Sequence, residues 1–404
     1  MMESGSDVSM LEHAWVEVDL DALQSNFRTM AEAVGGVKIL AVVKADGYGH
    51  GAAEVARTFL QAGAWGVGVC HLEEARQLRQ GGVDGRILVF APLTTEQARL
   101  AVDLRVIPTL TSLEPALALA EYASAQRCGM GVHVAVETGL GRFGVEVPQV
   151  ASLVEGISQV PGLTVEGVYT HLATDDADLM KIRMERLEHA VNQVRSRDLF
   201  VPMVHAAGSG PALKSAQARM DMVRLGTALY GLPPYLGRVP GLRSAWSLRS
   251  RISVIREMFP GETVGYAGDH EIQRKTRLAV VPVGFADGFM TDIRRPVGSL
   301  RVFLREAIRG LYHAFRSWRR PERIWINGSW APVIGRVGMQ HLTADVTGVE
   351  GVREGDEVSL PAREVVLSPL IPRVYVRDGQ VVGVVKAGER IGAGTQASWA
   401  DGSS

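Results

Sequence analysis

The sequence is poor in cysteine, in net charge and in long apolar runs. Its 404 residues include two cysteines, Cys70 and Cys128, too few for a disulfide framework and consistent with a reducing compartment such as the cytoplasm. Basic and acidic residues number 43 and 44, so overall charge gives no reason to bind nucleic acid, and no Cys/His spacing of a metal site appears. No apolar run of about 18 residues predicts a membrane helix, and no signal-peptide pattern is present. We therefore expect a cytoplasmic globular protein.

Lysine is also scarce, which matters if the protein uses an amine chemically. Six of the 43 basic residues are lysines. They are Lys38, Lys44, Lys181, Lys214, Lys275 and Lys386. Any chemistry that needs a lysine amine therefore has few candidates.

The first part of the chain alternates short apolar runs with helical patterns. Eight runs are nearly continuous in Val, Ile, Leu and small residues, as in parallel strands covered on both faces. They lie at 39–43, 65–70, 87–90, 106–110, 132–136, 165–170, 203–205 and 222–225. Eight such units in about 200 residues favour a (β/α)8 TIM-like barrel over an open doubly wound sheet. We assign 13–240 to the barrel and 1–12 to a disordered tail, and the alternating segment 15–20 could pair with either domain.

The second part, 241–404, is predicted to be a mostly β domain. Its strand-like runs are separated by Gly, Pro and Asp turns. The exception is 294–323, which contains nine arginines and apolar residues at three- and four-residue steps. This pattern predicts a basic amphipathic helix near 298–320. Such a helix could lie on an anionic membrane or dock with a partner protein, but packing on its own subunit is the simpler interpretation.

The ends of three barrel strands carry residues suited to one cofactor. Lys44 ends the first strand, where burial favours the neutral, nucleophilic amine unless the side chain reaches solvent. The segments 205–210 and 224–228 place small residues and a hydroxyl after the last two strands, where barrels often bind phosphate. A phosphate site together with a strand-end lysine suggests pyridoxal phosphate.

Eight segments of the sequence, in order, resemble motifs of the bacterial alanine racemase family. They read AVVKADGYGHG, VETGLGRFG, THLATDDAD, HAAGSG, MVRLGTALYGL, VGYAGDH, VGFADGF and IGRVGMQ. The resemblance covers roughly 12–400 and implies a pyridoxal-phosphate-dependent racemase of L- and D-alanine. It also implies a homodimer with active sites at the interface and a D-amino acid product that serves cell wall precursors.

The resemblance implies a two-base mechanism. Lys44 binds pyridoxal phosphate covalently and, once freed, acts as the base on one face of the substrate α-carbon. Tyr266, supplied by the partner subunit, acts on the opposite face, and His171 assists its ionisation. Arg224 faces the pyridine nitrogen, where a guanidinium keeps that nitrogen unprotonated and makes the ring a weaker electron sink than a carboxylate would.

The remaining site residues are also implied by the resemblance. Arg142 lies near the cofactor phenolic oxygen and the substrate carboxylate, and the Met339 backbone N–H offers that carboxylate a second donor. The cofactor phosphate is assigned to four residues. They are Tyr48, Ser209, Gly226 and Thr227.

Several positions depart from the family pattern. Ala135 stands where the family commonly has a lysine, seven residues before Arg142, so a group that normally orients this arginine is missing. Phe285 replaces a tyrosine, and Gly338 and Gln340 replace a cysteine and an aspartate. No tyrosine occurs in 365–373, where the family usually supplies a hydroxyl to the phosphate.

These departures leave alternatives open. A racemase of serine or another small amino acid is one, and a non-catalytic pyridoxal-phosphate-binding homologue is another. A fold-related decarboxylase would be expected to supply a cysteine from the β domain, and no cysteine follows Cys128. Retention of Lys44 and Tyr266 favours an active racemase with an altered substrate preference or rate.

Overall fold

A computed structural model describes residues 13–235, 237–289, 322–362, 368 and 370–390. The predicted tail at 1–12 and the predicted basic helix at 298–320 lie outside these residues. The chain divides into two compact units, of which one is Leu20–Ala245. The described residues on either side of that span form the second unit.

The described chain begins with strand β1 (Ala14–Asp19) and then enters the barrel unit. The strands of this unit are β2 (Lys38–Val42), β3 (Gly66–Val69), β4 (Ile87–Pro92), β5 (Ile107–Leu110), β6 (Met130–Glu137), β7 (Val145–Glu146), β8 (Leu163–Tyr169), β9 (Val204–His205) and β10 (Met222–Leu225). Its helices are α1 (Leu20–Ala33), α2 (Ala52–Gln61), α3 (Leu72–Gln80), α4 (Ala98–Asp103), α5 (Glu114–Ala125), α6 (Val150–Ser158), α7 (Ala177–Arg195) and α8 (Ser209–Lys214). Short 3-10 turns lie at Thr95–Gln97, Val147–Gln149 and Gln217–Arg219.

Eight of these strands form one parallel sheet that nearly closes into a barrel. Their order is β10-β2-β3-β4-β5-β6-β8-β9, and β7 adds a short bridge to β6. The two ends of the sheet meet where the Asp221 N–H donates to the Val204 carbonyl over 3.1 Å and the Arg224 N–H to the Ala207 carbonyl over 2.9 Å. The predicted (β/α)8 barrel is therefore confirmed.

The barrel interior is filled by side chains rather than left as a pore. Leu40, Leu88, Ile107, Met203 and Met222 form one buried cluster, with Trp65 and Phe90 packed against it. Inward-facing residues of neighbouring strands form such layers because each strand alternates its side chains between the two faces. This packing supports the strand ends that carry the site.

The described residues of the second unit form three sheets, in agreement with the predicted mostly β domain. Its strands are β1, β11 (Trp246–Arg251), β12 (Val254–Met258), β13 (Thr263–Val264), β14 (His270–Glu271), β15 (Thr276–Val281), β16 (Arg323–Ile326), β17 (Ser329–Pro332), β18 (Leu342–Asp345), β19 (Glu357–Leu360), β20 (Arg373–Arg377), β21 (Gln380–Lys386) and β22 (Glu389–Arg390). The largest sheet has the order β17-β16-β19-β11-β1-β20-β21-β22, beside sheets β12-β15-β18 and β13-β14. Short 3-10 turns lie at Tyr266–Gly268 and Phe285–Asp287.

Strand β1 corrects one part of the predicted domain boundaries. The boundary at 13 placed this strand with the barrel while the pairing of 15–20 was left open, and β1 pairs antiparallel with β11 and parallel with β20, inside the second unit. Its Trp15 is buried with Val374 and Val384, so the first strand of the chain completes the core of a sheet formed by the last part. The barrel unit then runs to Ala245 rather than 240.

None of the helices in the described ranges is both long and apolar enough to cross a membrane.

Candidate active site

A cavity of about 470 Å³ opens at the carboxyl ends of the barrel strands. Its walls come from the segments that follow β2, β6, β8, β9 and β10. Eight of the ten predicted site residues line this one cavity. They are Lys44, Tyr48, Arg142, His171, Ser209, Arg224, Gly226 and Thr227. The other two, Tyr266 and Met339, belong to the second unit.

Lys44 is half-buried and begins a left-handed turn. Ala45, Asp46 and Tyr48 have φ of 53°, 52° and 53°, and Gly47 has φ of 61°. L-residues other than glycine avoid this region because Cβ approaches the following carbonyl, at ~1–2 kcal/mol per residue. Three such residues in one turn are kept only where the surroundings determine the conformation. The backbone behind the predicted nucleophile is therefore strained.

The carboxylate of Glu74 holds this turn in place. One oxygen accepts a hydrogen bond of 2.6 Å from the Ala45 N–H. The other accepts from the N–H groups of Cys70 and His71, over 2.7 and 3.0 Å, at the end of β3. Glu74 thus ties the residue after Lys44 to the neighbouring strand and to the start of α3.

Tyr48 and Gly226 pack against each other at the next part of the wall. A Cβ at Gly226 would lie 2.5 Å from the Tyr48 hydroxyl oxygen, so a glycine is needed for the tyrosine to take this position. Burial, followed by the proximity of Tyr235, raises the pKa of Tyr48 to about 12. The hydroxyl is therefore a stable hydrogen-bond donor at neutral pH.

The loop after β9 brings more hydroxyls to the same region. The Gly226 N–H donates to the Ser209 hydroxyl over 3.3 Å. A Cβ at Gly210 would lie 2.8 Å from an Asp175 carboxylate oxygen and 3.2 Å from the Tyr235 hydroxyl oxygen. The hydroxyls of Tyr48, Ser209 and Tyr235 therefore line one part of the cavity wall, close to the backbone of Gly210 and Gly226. Hydroxyl donors grouped in this way suit a phosphate.

Arg224 is the most tightly held charged group of the site. It is 5% exposed, and its Nη2 donates to the carbonyls of Thr170 and Ala206 over 2.6 and 2.9 Å. Its Nη1 lies 2.6 Å from His205 Nδ1, and the guanidinium stacks over the Tyr169 ring at 5.1 Å. Burial lowers the pKa of Arg224 to about 10, so it remains a cation at neutral pH. Neutral acceptors hold this cation at the cavity wall.

His171 is oriented by Arg224. Its Nδ1 lies 3.2 Å from Arg224 Nη2, which also donates to the Thr170 and Ala206 carbonyls, so His171 shares one of these two hydrogens. Since a guanidinium can only donate, Nδ1 accepts and the imidazole proton is on Nε2. Burial lowers the pKa of His171 to about 3, and the charges of Arg224 and Arg142 add to this shift. His171 is therefore neutral at physiological pH and can donate one hydrogen bond from Nε2.

The loop that carries Arg142 is organised by Glu137. The Glu137 carboxylate accepts from four successive N–H groups, over 2.5 to 3.1 Å. They belong to Gly139, Leu140, Gly141 and Arg142. Burial alone would raise the pKa of Glu137, but these four donors together lower it. The loop wraps around a carboxylate and places Arg142 at the cavity.

Ala135 lines the cavity in the position where the family commonly has a lysine. It is 3% exposed, and its methyl group offers Arg142 no polar partner. Among the described residues no acidic side chain forms an ion pair with Arg142, whose guanidinium stacks on the Phe143 ring at 5.4 Å. That a group which orients Arg142 is missing stays a prediction from the sequence.

Tyr266 and Met339 lie in turns of the second unit. Tyr266 begins the 3-10 turn Tyr266–Gly268, directly after Gly265 with φ of 92°. Met339 is 62% exposed, and its carbonyl accepts from the Ala286 N–H over 2.9 Å. The roles assigned to both residues stay predictions.

Sequence reasoning missed four residues that shape the site. They are Glu74, Glu137, His205 and Tyr235. Glu74, His205 and Tyr235 act on residues of other segments, whereas Glu137 acts on the loop that directly follows it. His205 had a usable signal, since a histidine that ends an apolar strand shortly before a Gly-Ser-Gly turn is already unusual. For metals, no cluster of three or more His, Cys, Asp or Glu side chains that could hold an ion occurs in the described part of the chain.

Comparison with known proteins gives matches that span both units. The family models for the N-terminal and C-terminal domains of alanine racemase match residues 18–234 and 245–368. The alanine racemase of Desulfosudis oleivorans is 33% identical over 361 residues, which cover 85% of this chain and 86% of that protein. The alanine racemase of Halothermothrix orenii is 31% identical over 352 residues, or 86% of each chain.

A solved structure extends the match to three dimensions. The alanine racemase from Bacillus anthracis with bound L-Ala-P gives a TM-score of 0.76 at 27% identity. The match covers 93% of this chain and 98% of that one. The resemblance found in the motifs therefore holds along most of the chain.

Proposed function

The chain belongs to the alanine racemase family, and on that premise we propose that it is a pyridoxal-phosphate-dependent racemase which interconverts L- and D-alanine. The observation that carries the proposal is the convergence of eight predicted site residues on one cavity. The comparisons do not favour the alternatives of another small amino acid or a non-catalytic homologue, since the relatives are named alanine racemases.

The residues of the cavity fit the cofactor. The part of the cavity bordered by the hydroxyls of Tyr48, Ser209 and Tyr235 would hold the phosphate, and the Arg224 guanidinium would donate to the pyridine nitrogen. Lys44 would hold the cofactor through its amine. The chemistry supplied by bound pyridoxal phosphate is the withdrawal of electrons from the substrate α-carbon, which makes its hydrogen acidic.

The protein residues then move the proton. The Lys44 amine takes or gives the α-proton on one face of the substrate, and the Tyr266 phenol does so on the other. A free tyrosine has a pKa of ~10, so its phenolate needs a hydrogen-bond donor at neutral pH. The Nε2–H of neutral His171 supports that role as a donor, because its Nδ1 is already occupied by Arg224.

A second copy of the chain completes this proposal. We assign Tyr266 and the Met339 backbone N–H to the partner subunit of a homodimer, in keeping with the family resemblance. A cytoplasmic location also stays a proposal, supported by the two unpaired cysteines of the chain.

Lysine trapping tests the cofactor assignment. The protein is incubated with pyridoxal phosphate, reduced with borohydride and digested for peptide mass spectrometry. We expect the reduced cofactor on Lys44, its loss in Lys44→Ala, and its retention in Lys38→Ala, which changes an exposed lysine at the start of the same strand. A modified lysine other than Lys44, or none, would overturn the assignment.

A further inference from the structure

Behind Arg224 a line of buried polar groups runs into the barrel interior. Arg224 Nη1 lies 2.6 Å from His205 Nδ1, and His205 Nε2 lies 3.0 Å from His133 Nδ1. Both histidines are 0% exposed. His133 comes from β6 and His205 from β9, so the line crosses the barrel from one strand to another.

The chemistry of arginine fixes the direction of every hydrogen bond in this line. A guanidinium has only donors, so His205 Nδ1 must accept and carries no proton. The proton of neutral His205 is therefore on Nε2, and this N–H donates to His133 Nδ1. His133 then carries its own proton on Nε2, which forms no hydrogen bond with any described residue.

The surroundings hold both rings in position. His205 stacks on the Tyr169 ring with centroids 4.7 Å apart and planes 9° apart. A Cβ at Gly167 would lie 2.7 Å from the His133 ring, so only glycine leaves room for the imidazole there. The Tyr169 hydroxyl is in turn 3.0 Å from the Thr109 hydroxyl. The two imidazoles are thus packed in one arrangement.

A buried imidazole without an apparent role in the reaction is costly to keep. His133 has no contact with the cavity, and its Nε2–H has no described partner. A leucine would fill part of the space without an unsatisfied polar group, which costs about 1–3 kcal/mol when buried. The one polar contact that His133 does make is the acceptor for His205.

We propose that His133 is a positioning residue, whose Nδ1 holds His205 in the Nε2–H tautomer and thereby fixes the Arg224 guanidinium at the cofactor site. Without this acceptor the His205 N–H is buried and unpaired. Rotation of the ring away from Arg224 then becomes favourable, because it can bring this N–H to another acceptor. Arg224 would then lose its shortest side-chain partner. The inference rests on the proposed function, because Arg224 is the residue that would face the pyridine nitrogen.

Two variants of equal shape separate an acceptor role from a packing role. His133→Asn keeps an acceptor oxygen near the position of Nδ1, whereas His133→Leu has the same branching and no acceptor. In the holoenzyme we expect His133→Leu to raise the dissociation constant of pyridoxal phosphate about tenfold and to lower kcat about tenfold, with KM for alanine little changed. His133→Asn should stay within about threefold of the wild type in all three quantities.

The control is His189→Asn, which changes a histidine bonded only to Gln193 on the exposed face of α7 and should have no effect. If His133→Leu and His133→Asn lose cofactor affinity and kcat equally, or if His133→Leu loses less, the proposal is overturned and His133 acts by packing. Wild-type values in both variants would overturn it as well.

A direct observation on the wild-type protein does not depend on either variant folding. Nitrogen-15 NMR of histidine-labelled protein should show a coupling across the hydrogen bond between His205 Nε2 and His133 Nδ1, with the proton on His205. A proton on His133 Nδ1 would overturn the proposal. This measurement needs no racemase activity. If the proposed function is wrong, the wild-type protein would show the coupling but would not turn over alanine.

Discussion

The Glu74 carboxylate accepts a hydrogen bond of 2.6 Å from the backbone N–H of Ala45, the residue directly after Lys44. Its second oxygen binds two N–H groups at the end of β3. A helix residue thus fixes a left-handed turn that starts at the predicted nucleophile. The strained turn is therefore stabilised by a residue that lies 29 positions after Ala45 in the chain.

Replacing Glu74 by glutamine should make the position of Lys44 less fixed. One carboxylate oxygen becomes an amide NH2, a donor that faces a backbone N–H donor, so a hydrogen bond is lost. Hydrogen bonds to charged groups are worth ~1.5–3 kcal/mol. We expect Glu74→Gln to weaken pyridoxal phosphate binding about tenfold, measured by absorbance titration. Glu73→Gln is the matched control, because that side chain is exposed and pairs with Arg76. An equal effect of both substitutions would contradict the role of Glu74.

Glu137 should make stability depend on pH. Its pKa is lowered in the folded protein, so its contribution is present above the ordinary glutamate pKa of ~4.3 and is lost as the pH falls through the lower folded value. We expect Glu137→Gln to reduce the free energy of unfolding by about 1 kcal/mol at pH 7 and by less below pH ~4. Urea unfolding across this range measures the difference, with exposed Glu146→Gln as control. A constant difference at every pH would count against the prediction.

Gly226 should tolerate no side chain while Tyr48 is present. The Cβ of Gly226→Ala would lie 2.5 Å from the Tyr48 hydroxyl oxygen, so the tyrosine must move from the proposed phosphate site. We expect a loss of cofactor affinity of at least about tenfold, partly restored when Tyr48→Phe removes the clashing oxygen. Gly348→Ala, at a position with open space, should behave as the wild type. Wild-type affinity in Gly226→Ala would refute this account of the site.

Tyr235 should supply the phosphate with a hydroxyl in place of the tyrosine that is absent from 365–373. Its hydroxyl lies beside Gly210, and burial together with Asp175 raises its pKa, so it stays protonated as a donor. We expect Tyr235→Phe to weaken binding of pyridoxal phosphate about fivefold, the loss of one hydrogen bond of ~1 kcal/mol. Exposed Tyr122→Phe on α5 is the control. An unchanged dissociation constant would show that Tyr235 does not contact the phosphate.

The barrel and its cavity residues could be predicted because they follow local rules. Buried parallel strands read as continuous apolar runs, and residues at strand ends converge at one edge, as Lys44 and Arg224 do. The contact of Glu74 with Ala45 and that of His133 with His205 could not be predicted, because only the closed barrel brings these residues together. The pairing of β1 with β11 and β20 could not be predicted either. Alternating apolar and polar residues show that a strand has one buried face, but they do not show to which sheet the strand belongs.

The most direct test of the central claim follows the α-hydrogen of alanine. L-alanine is incubated in deuterium oxide with the wild-type protein loaded with pyridoxal phosphate, and the products are separated on a chiral column with mass detection. We predict D-alanine carrying deuterium at the α-carbon, formed until the two enantiomers are equal, and none with Lys44→Ala. A loaded wild-type protein that forms no D-alanine and exchanges no α-hydrogen would contradict the assignment of this chain as an alanine racemase.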